Sequence, residues 1–176
     1  MKTTSLNNLI QQCTLSKGKC AALAEAAAVC LESQNHQSGV SLQIKGDYTD
    51  TIGLVWEPID LKTRQSWQNL SESVEEAAYG LAIITIWEIT PYKVIKQGFK
   101  GSGFDYWLSK KQQTNIFPFQ ETARLEVSGI LNGSTGQINQ RLKEKLQQTK
   151  KSDNLDIPAF VIIAEFSKPI IKIKKR

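Results

Sequence analysis

Two carboxylates stand out by where they fall. Asp105 follows a glycine turn in GSGFDYWL, and Glu126 lies in ARLEVSG. Both runs read as β-strands, and an acid inside a strand is a poor β-former that costs free energy to bury. Placed on neighbouring strands, two such acids suggest a divalent-metal site. Magnesium takes hard oxygen ligands and keeps several waters, so Asp105 and Glu126 can hold it and leave room for a phosphate oxygen and a water. With the ion bound, a phosphodiester is polarised and the pKa of the attacking water falls. A nearby lysine would orient that water and stabilise the developing charge. Plainer uses compete. Asp105 can accept hydrogen bonds from backbone groups after GSG, and Glu126 can pair with Arg124 or Lys145 on a solvent face.

The elements that must position this pair follow from periodicity and breakers. Residues 4–13 read as a short helix that SKGK ends, and CAALAEAAAVCLESQ favours a helix through its alanines and leucines. VSLQIKGD and TIGLVWEP read as an antiparallel hairpin, with Val40, Leu42 and Ile44 alternating with polar residues. DLKTRQSWQNL is helical. Ser73 and Glu76 have capping-box spacing before EEAAYGLAIITIWEI, a helix apolar on most faces and therefore buried, which Pro91 stops. YKVIKQG, FDYWL and ARLEVSGIL read as three strands, the first two joined around Gly98, Gly101 and Gly103. A polar loop, SKKQQTNIFPFQE, separates the second from the third. QINQRLKEKLQQTKK is an amphipathic helix with Ile138, Leu142 and Leu146 on one face. AFVIIAEF is nearly continuous in apolar residues, as a strand buried on both faces would be. Its return after a helix predicts a parallel crossover. The basic segment IIKIKKR is expected to trail as an edge or tail.

From Ser73 to Phe166 the order is helix, three strands, helix, strand. This order, with Asp105 and Glu126 on its second and third strands, resembles a divergent PD-(D/E)xK nuclease superfamily core, the restriction-endonuclease-like fold. The resemblance covers residues 73–166, a little over half of the chain. It implies a single α/β domain: a mixed-sheet αβββαβ core, a helix and hairpin extension over 1–60, and a basic tail over 167–176. In that family an aspartate on the second core strand and the acid of the motif on the third hold magnesium; the matching residues are Asp105 and Glu126. An acid on the preceding helix often joins them, here Glu75 or Glu76, with Glu76 preferred. Phe104 replaces the motif proline, a variable position. Ser128 replaces the motif lysine and cannot supply its charge. The lysine role then falls to the next helix, where Arg141 and Lys145 lie four apart, and Lys145 completes the expected catalytic set with Glu76, Asp105 and Glu126. The resemblance thus implies a magnesium-dependent nuclease, or a nuclease-like subunit, acting on DNA in a defence or DNA-processing system. A chain this small is expected to work with a partner protein or as a homodimer. The alternative is a catalytically inactive nuclease fold that binds protein or nucleic acid; another is an unrelated α/β protein with structural acids.

Composition bounds these readings. The chain has 176 residues, 40% hydrophobic and 22% charged, enough for one packed core. Its net charge of +5 permits contact with phosphate backbones without demanding it. The excess concentrates in YKVIKQGFK, RLKEKLQQTKK and KPIIKIKKR. Three cysteines, Cys13, Cys20 and Cys30, lack C-x-x-C spacing, which argues against a zinc site or a disulfide framework. Cys20 and Cys30 are expected to pack as small apolar residues. His36 is the sole histidine, in a polar helix exit, which removes Ser-His-Asp catalysis. GFKGSG lacks the Gly-Lys-Ser/Thr ending of a P-loop and opens a strand. Trp56, Trp67, Trp87, Trp107 and Tyr106 can stack on bases but more often fill cores. Glu165, a third strand acid, either joins the site or faces water. No signal-peptide core is present, and the longest apolar run, AAYGLAIITIW, falls short of the about 20 residues that span a bilayer. A cytoplasmic protein with no membrane partner is expected.

Overall fold

The computed structural model of the chain describes residues 2–112 and 121–176. The predicted loop SKKQQTNIFPFQE falls largely outside them. β1 (Lys2–Ser5) leads through a 3-10 turn into α1 (Leu9–Gln12) and then α2 (Lys17–Ser33). The hairpin is β2 (Val40–Gly46) and β3 (Asp50–Val55), antiparallel as its alternation requires. α3 (Leu61–Ser66) and α4 (Leu70–Ile89) precede β4 (Tyr92–Gln97), β5 (Tyr106–Lys110) and β6 (Ala123–Ile130). α5 (Thr135–Thr149) crosses to β7 (Ala159–Glu165), and β8 (Ile170–Lys175) closes the chain. Among the described residues the strands form one mixed sheet of eight, ordered β1-β3-β2-β8-β7-β6-β5-β4.

The expected succession of helix, three strands, helix and strand is therefore present as α4-β4-β5-β6-α5-β7. β4, β5 and β6 pair antiparallel, and the step through α5 makes β7 parallel to β6. Alternation along β7 assigns its two faces. Phe160, Ile162 and Ala164 join Leu125 and Val127 beneath α2 and α4, while Val161 and Ile163 pack on Ile138, Leu142 and Leu146 of α5. All seven residues of β7 are buried, which is why its sequence is apolar up to the terminal Glu165.

Four local expectations are corrected. The segment 167–176 is not a tail: β8 lies inside the sheet, antiparallel to β7 and parallel to β2, and so fuses the N-terminal hairpin to the rest. Its lysines alternate with the buried Ile171 and Ile173, a half-buried strand pattern that the charge run obscured. The first residues form an edge strand parallel to β3 before a helix much shorter than predicted. α4 starts before the Ser73 and Glu76 pair, so Ser73 is inside the helix and its hydroxyl donates to the Trp67 and Asn69 carbonyls. α2 likewise begins at Lys17, capped by the Ser16 side chain, and carries Gly18 within it.

Small residues set how closely the layers approach. A Cβ on Gly80 would lie 2.9 Å from the Leu23 carbonyl oxygen, so α4 rests directly on α2. A Cβ on Gly129 would lie 2.4 Å from the Val74 carbonyl oxygen, so α4 also rests on β6. Both obstacles are backbone and cannot swing aside. Gly129→Ala should cost about 2 kcal/mol and lower the melting temperature by about 4–8 °C, a shift that a thermal melt resolves. The apolar run at the centre of α4 is a core helix, as expected: Ala77, Ala78, Leu81, Ile84 and Ile86 are all buried. No helix among the described residues is long and apolar enough to cross a membrane.

Candidate active site

β5 pairs with β6 only from Tyr106 opposite Leu125 to Leu108 opposite Ala123. β6 runs on beside β7 to Ile130, past the end of its pairing with β5, so backbone N–H groups on that edge need acceptors. Side-chain carboxylates supply them. Asp105 Oδ2 accepts from Val127 N at 2.8 Å, and Glu75 Oε2 accepts from Gly129 N at 3.1 Å. Asp105 Oδ1 accepts from the Tyr79 hydroxyl at 3.2 Å. Asp105 is thus at once a backbone-bonding acid, through Val127 N of β6 and not through a group of its own turn, and a neighbour of a second acid.

That neighbour is Glu126. Leu125 and Val127 face the α2 and α4 layer, so alternation turns Glu126 and Ser128 toward α5. Glu126 is fully buried and does not face solvent. Its Oε1 accepts from Lys145 Nζ at 2.6 Å and from Gln148 Nε2 at 2.9 Å, both from α5. Its Oε2 is buried without a donor, and the carboxyl nearest in influence is Asp105, which can donate to it only when protonated. Arg124, the other partner considered for Glu126, is buried elsewhere and donates to the carbonyls of Thr149 and Ile157 and to Ser152.

Both basic residues of α5 reach β6. Lys145 meets Glu126, and Arg141 Nη1 donates to Ser128 Oγ at 2.9 Å. The side chains at the first and third positions of E-x-S therefore each receive a cation from the following helix. The two acids of α4 diverge. Glu75 turns to Gly129 and the site, whereas Glu76, the preferred candidate, pairs with Lys19 of α2 at 2.6 Å. The structure brings together Asp105, Glu126, Lys145 and Glu75, and places Glu76 toward α2.

The electrostatics follow from burial and proximity. Burial first, then the charge of Asp105, pushes Glu126 up to about 8, against the opposing pull of Lys145. Burial raises Asp105 too, opposed chiefly by the Val127 N–H and by Lys145. Glu75 is raised by burial, opposed by the Gly129 N–H. Tyr79 is raised by burial and by the Asp105 charge, so it stays a neutral donor. Three carboxyls driven toward protonation in one place are an arrangement that functional sites favour. Among the described residues, no group of three or more His, Cys, Asp or Glu encloses a metal position. The donors nonetheless suit a hard cation: two carboxylates, one with an unpartnered buried oxygen, in a place where positive charge would offset buried negative charge.

Tyr79, Gln148 and, as the better of two acids, Glu75 are the residues that sequence reasoning passed over. Spacing held the signal. Glu75 and Tyr79 are four apart on α4, and Lys145 and Gln148 three apart on α5, so each pair shares a helix face. Other candidates have structural roles. Glu165 is buried, and its carboxylate accepts from the N–H groups of Gly133, Ser167 and Lys168, so it neither joins the site nor faces water. His36 Nε2 lies 3.0 Å from the Phe166 carbonyl oxygen. Trp56, Trp107 and Tyr106 are buried in the core. Cys13, Cys20 and Cys30 are buried free thiols.

Comparison of the chain with protein-family models, with curated proteins and with solved structures returns no match.

Proposed function

We propose that this chain is a magnesium-dependent nuclease acting on DNA, with Asp105 and Glu126 as the metal ligands. The observation that carries the reading is the 2.6 Å contact between Lys145 and Glu126, which puts a lysine from α5 beside the acid whose own strand offers Ser128. A bound magnesium would supply polarisation of the phosphodiester and a water of lowered pKa. The chain's own residues do the rest. Lys145 positions Glu126 and carries positive charge toward the scissile phosphate. Arg141, held on Ser128, adds a second cation on the same face. Tyr79 and the Val127 N–H fix the Asp105 carboxylate.

A second reading has its own support. Asp105 and Glu75 already satisfy β6 backbone groups, and Lys145 already offsets Glu126, so the cluster is also a workable structural plug. On that reading the chain is an inactive nuclease fold that binds a partner. Incubation with plasmid and single-stranded DNA in magnesium or manganese separates the two. The nuclease reading expects cleavage that chelator stops and that Asp105→Asn reduces to background. Cleavage indifferent to Asp105→Asn removes the proposed site. No cleavage, with no rise in melting temperature on adding magnesium, favours the binding module, because an ion that binds the folded state stabilises it by mass action.

A further inference from the structure

Beside Asp105 opens a polar cleft of about 490 Å³, between the β4–β5 turn and the C-terminal end of α5. Its lining includes Tyr79, Asp105, Gln97, Gln148, Lys100 and Lys151. The volume falls in the range of about 300–1,000 Å³ typical of ligand sites. At its rim stands Phe99, 69% exposed, the first of the two phenylalanines in GFKGSGF. A lone exposed Phe needs no explanation by itself. This one differs in how it is held.

The turn that carries Phe99 is pinned from below. Gly98 N donates to the Asp105 carbonyl at 2.7 Å, and Ser102 N donates to the Phe99 carbonyl at 3.1 Å. Ser102 Oγ donates to the Phe104 carbonyl at 2.9 Å. Gly101 and Gly103 have φ of 89° and 82°, and a Cβ on Gly103 would lie 2.6 Å from the Gln148 carbonyl oxygen, so the turn is pressed against α5. Phe104, only 5% exposed, packs with Ile95 and Trp107. Of the two phenylalanines in the turn, one anchors it and the other is left outside on a fixed backbone, with Lys100 next to it and Lys151 across the cleft.

We infer that this cleft binds an unpaired nucleotide of a DNA strand, its base stacked on Phe99 and its phosphate between Lys100 and Lys151. The chemistry favours a single strand. A base offers its face to a side chain only out of the duplex stack, and base–aromatic stacking is indifferent to sequence. The two lysines supply the sequence-independent phosphate contacts. The inference rests on the proposed function for its orientation, since it puts the next phosphate toward Asp105.

Fluorescence anisotropy with a short labelled strand and with its duplex, in chelator and at low salt, tests it without any reaction. The wild-type protein should prefer the strand. Phe99→Ala should weaken strand binding about tenfold and leave duplex binding unchanged, while Phe99→Trp keeps the preference. The pair Lys100→Ala and Lys151→Ala should weaken binding and flatten its salt dependence. All these side chains are exposed or at the rim, and a thermal melt confirms that each variant is folded. Strand binding indifferent to Phe99→Ala, duplex bound as tightly as strand, or no DNA binding at all overturns the inference. The two proposals fail separately. Strand binding that depends on Phe99 without cleavage sinks only the nuclease reading, and cleavage with a neutral Phe99→Ala sinks only this one.

Discussion

Glu126→Gln should abolish metal-dependent cleavage and, at the same time, make the metal-free protein more stable above neutral pH. The stability effect follows from the direction of the carboxyl's shift. Glu126 is raised from an ordinary 4.5 to about 8 in the folded protein. Between those values the folded state keeps a proton that the unfolded chain has released. Stability must therefore fall as pH rises from about 4.5 to about 8, and stay low beyond. Asp105 is raised as well, so the two titrate as a pair and the proton belongs to both. Glutamine keeps an oxygen to accept from Lys145 and Gln148 but has no charge to bury. Urea unfolding at pH 5 and pH 8 should show the wild type losing on the order of a few kcal/mol across that interval and the variant losing much less. An undiminished decline in Glu126→Gln would place the titration elsewhere. Magnesium should act like the substitution for stability, raising the wild type more at pH 8 than at pH 5, because the ion takes the place of the proton.

The same site shows which parts of the molecule were legible in the sequence. The elements from α4 to β7 were readable because each has a clean period or a hard stop: apolar residues on most faces of α4 beyond its first turn, Pro91 after it, alternation along β6, a stripe on α5. The side chains that share a face followed from those periods. Leu125 and Val127 facing one way required Glu126 and Ser128 to face the other, and both then met α5. Which of Glu75 and Glu76 reaches the site was not readable. Adjacent helix residues differ by about 100° in direction, and only the packing of α4 on β6 at Gly129 decides which one turns inward. β8 was misread because its lysines alternate with isoleucines on a strand of which only one face is buried, and charge dominated the pattern. Its pairing with β2 joins distant segments, which local sequence does not encode. The edge strand β1 was missed for the same reason.

Ser128 is where sequence and structure inform each other most. A lysine absent from β6 reads, in sequence, as a lost function. In the fold, two basic residues of α5 that point at β6, Arg141 and Lys145, are one helical turn apart and land on Ser128 and Glu126 respectively. A serine at 128 is small enough to let Arg141 approach and offers it an acceptor. Lysine there would set two cations against each other. Serine is thus compatible with charge arriving from the helix.

Lys145→Met carries the second large effect, and it separates catalysis from packing. If Lys145 stabilises charge at the scissile phosphate, kcat should drop about 100- to 1,000-fold with little change in DNA affinity, as for loss of one preorganised electrostatic donor. The side chain is only 20% exposed, and its partner Glu126 is fully buried. Removing it leaves a buried acid without its cation, a change worth about 3–5 kcal/mol for an ion pair locked in charged form. Glu126 escapes most of that cost by holding its proton, since Lys145 was the group pulling its pKa down. The variant should therefore be nearly as stable as wild type at pH 5 and clearly weaker at pH 8. Adding Glu126→Gln to Lys145→Met should restore stability at pH 8, because the uncompensated acid is gone, yet leave cleavage absent. A double-mutant cycle on unfolding free energies at both pH values measures that coupling. Full activity in folded Lys145→Met would exclude Lys145 from the reaction and leave it as the counterion that lets β6 carry a glutamate into the core.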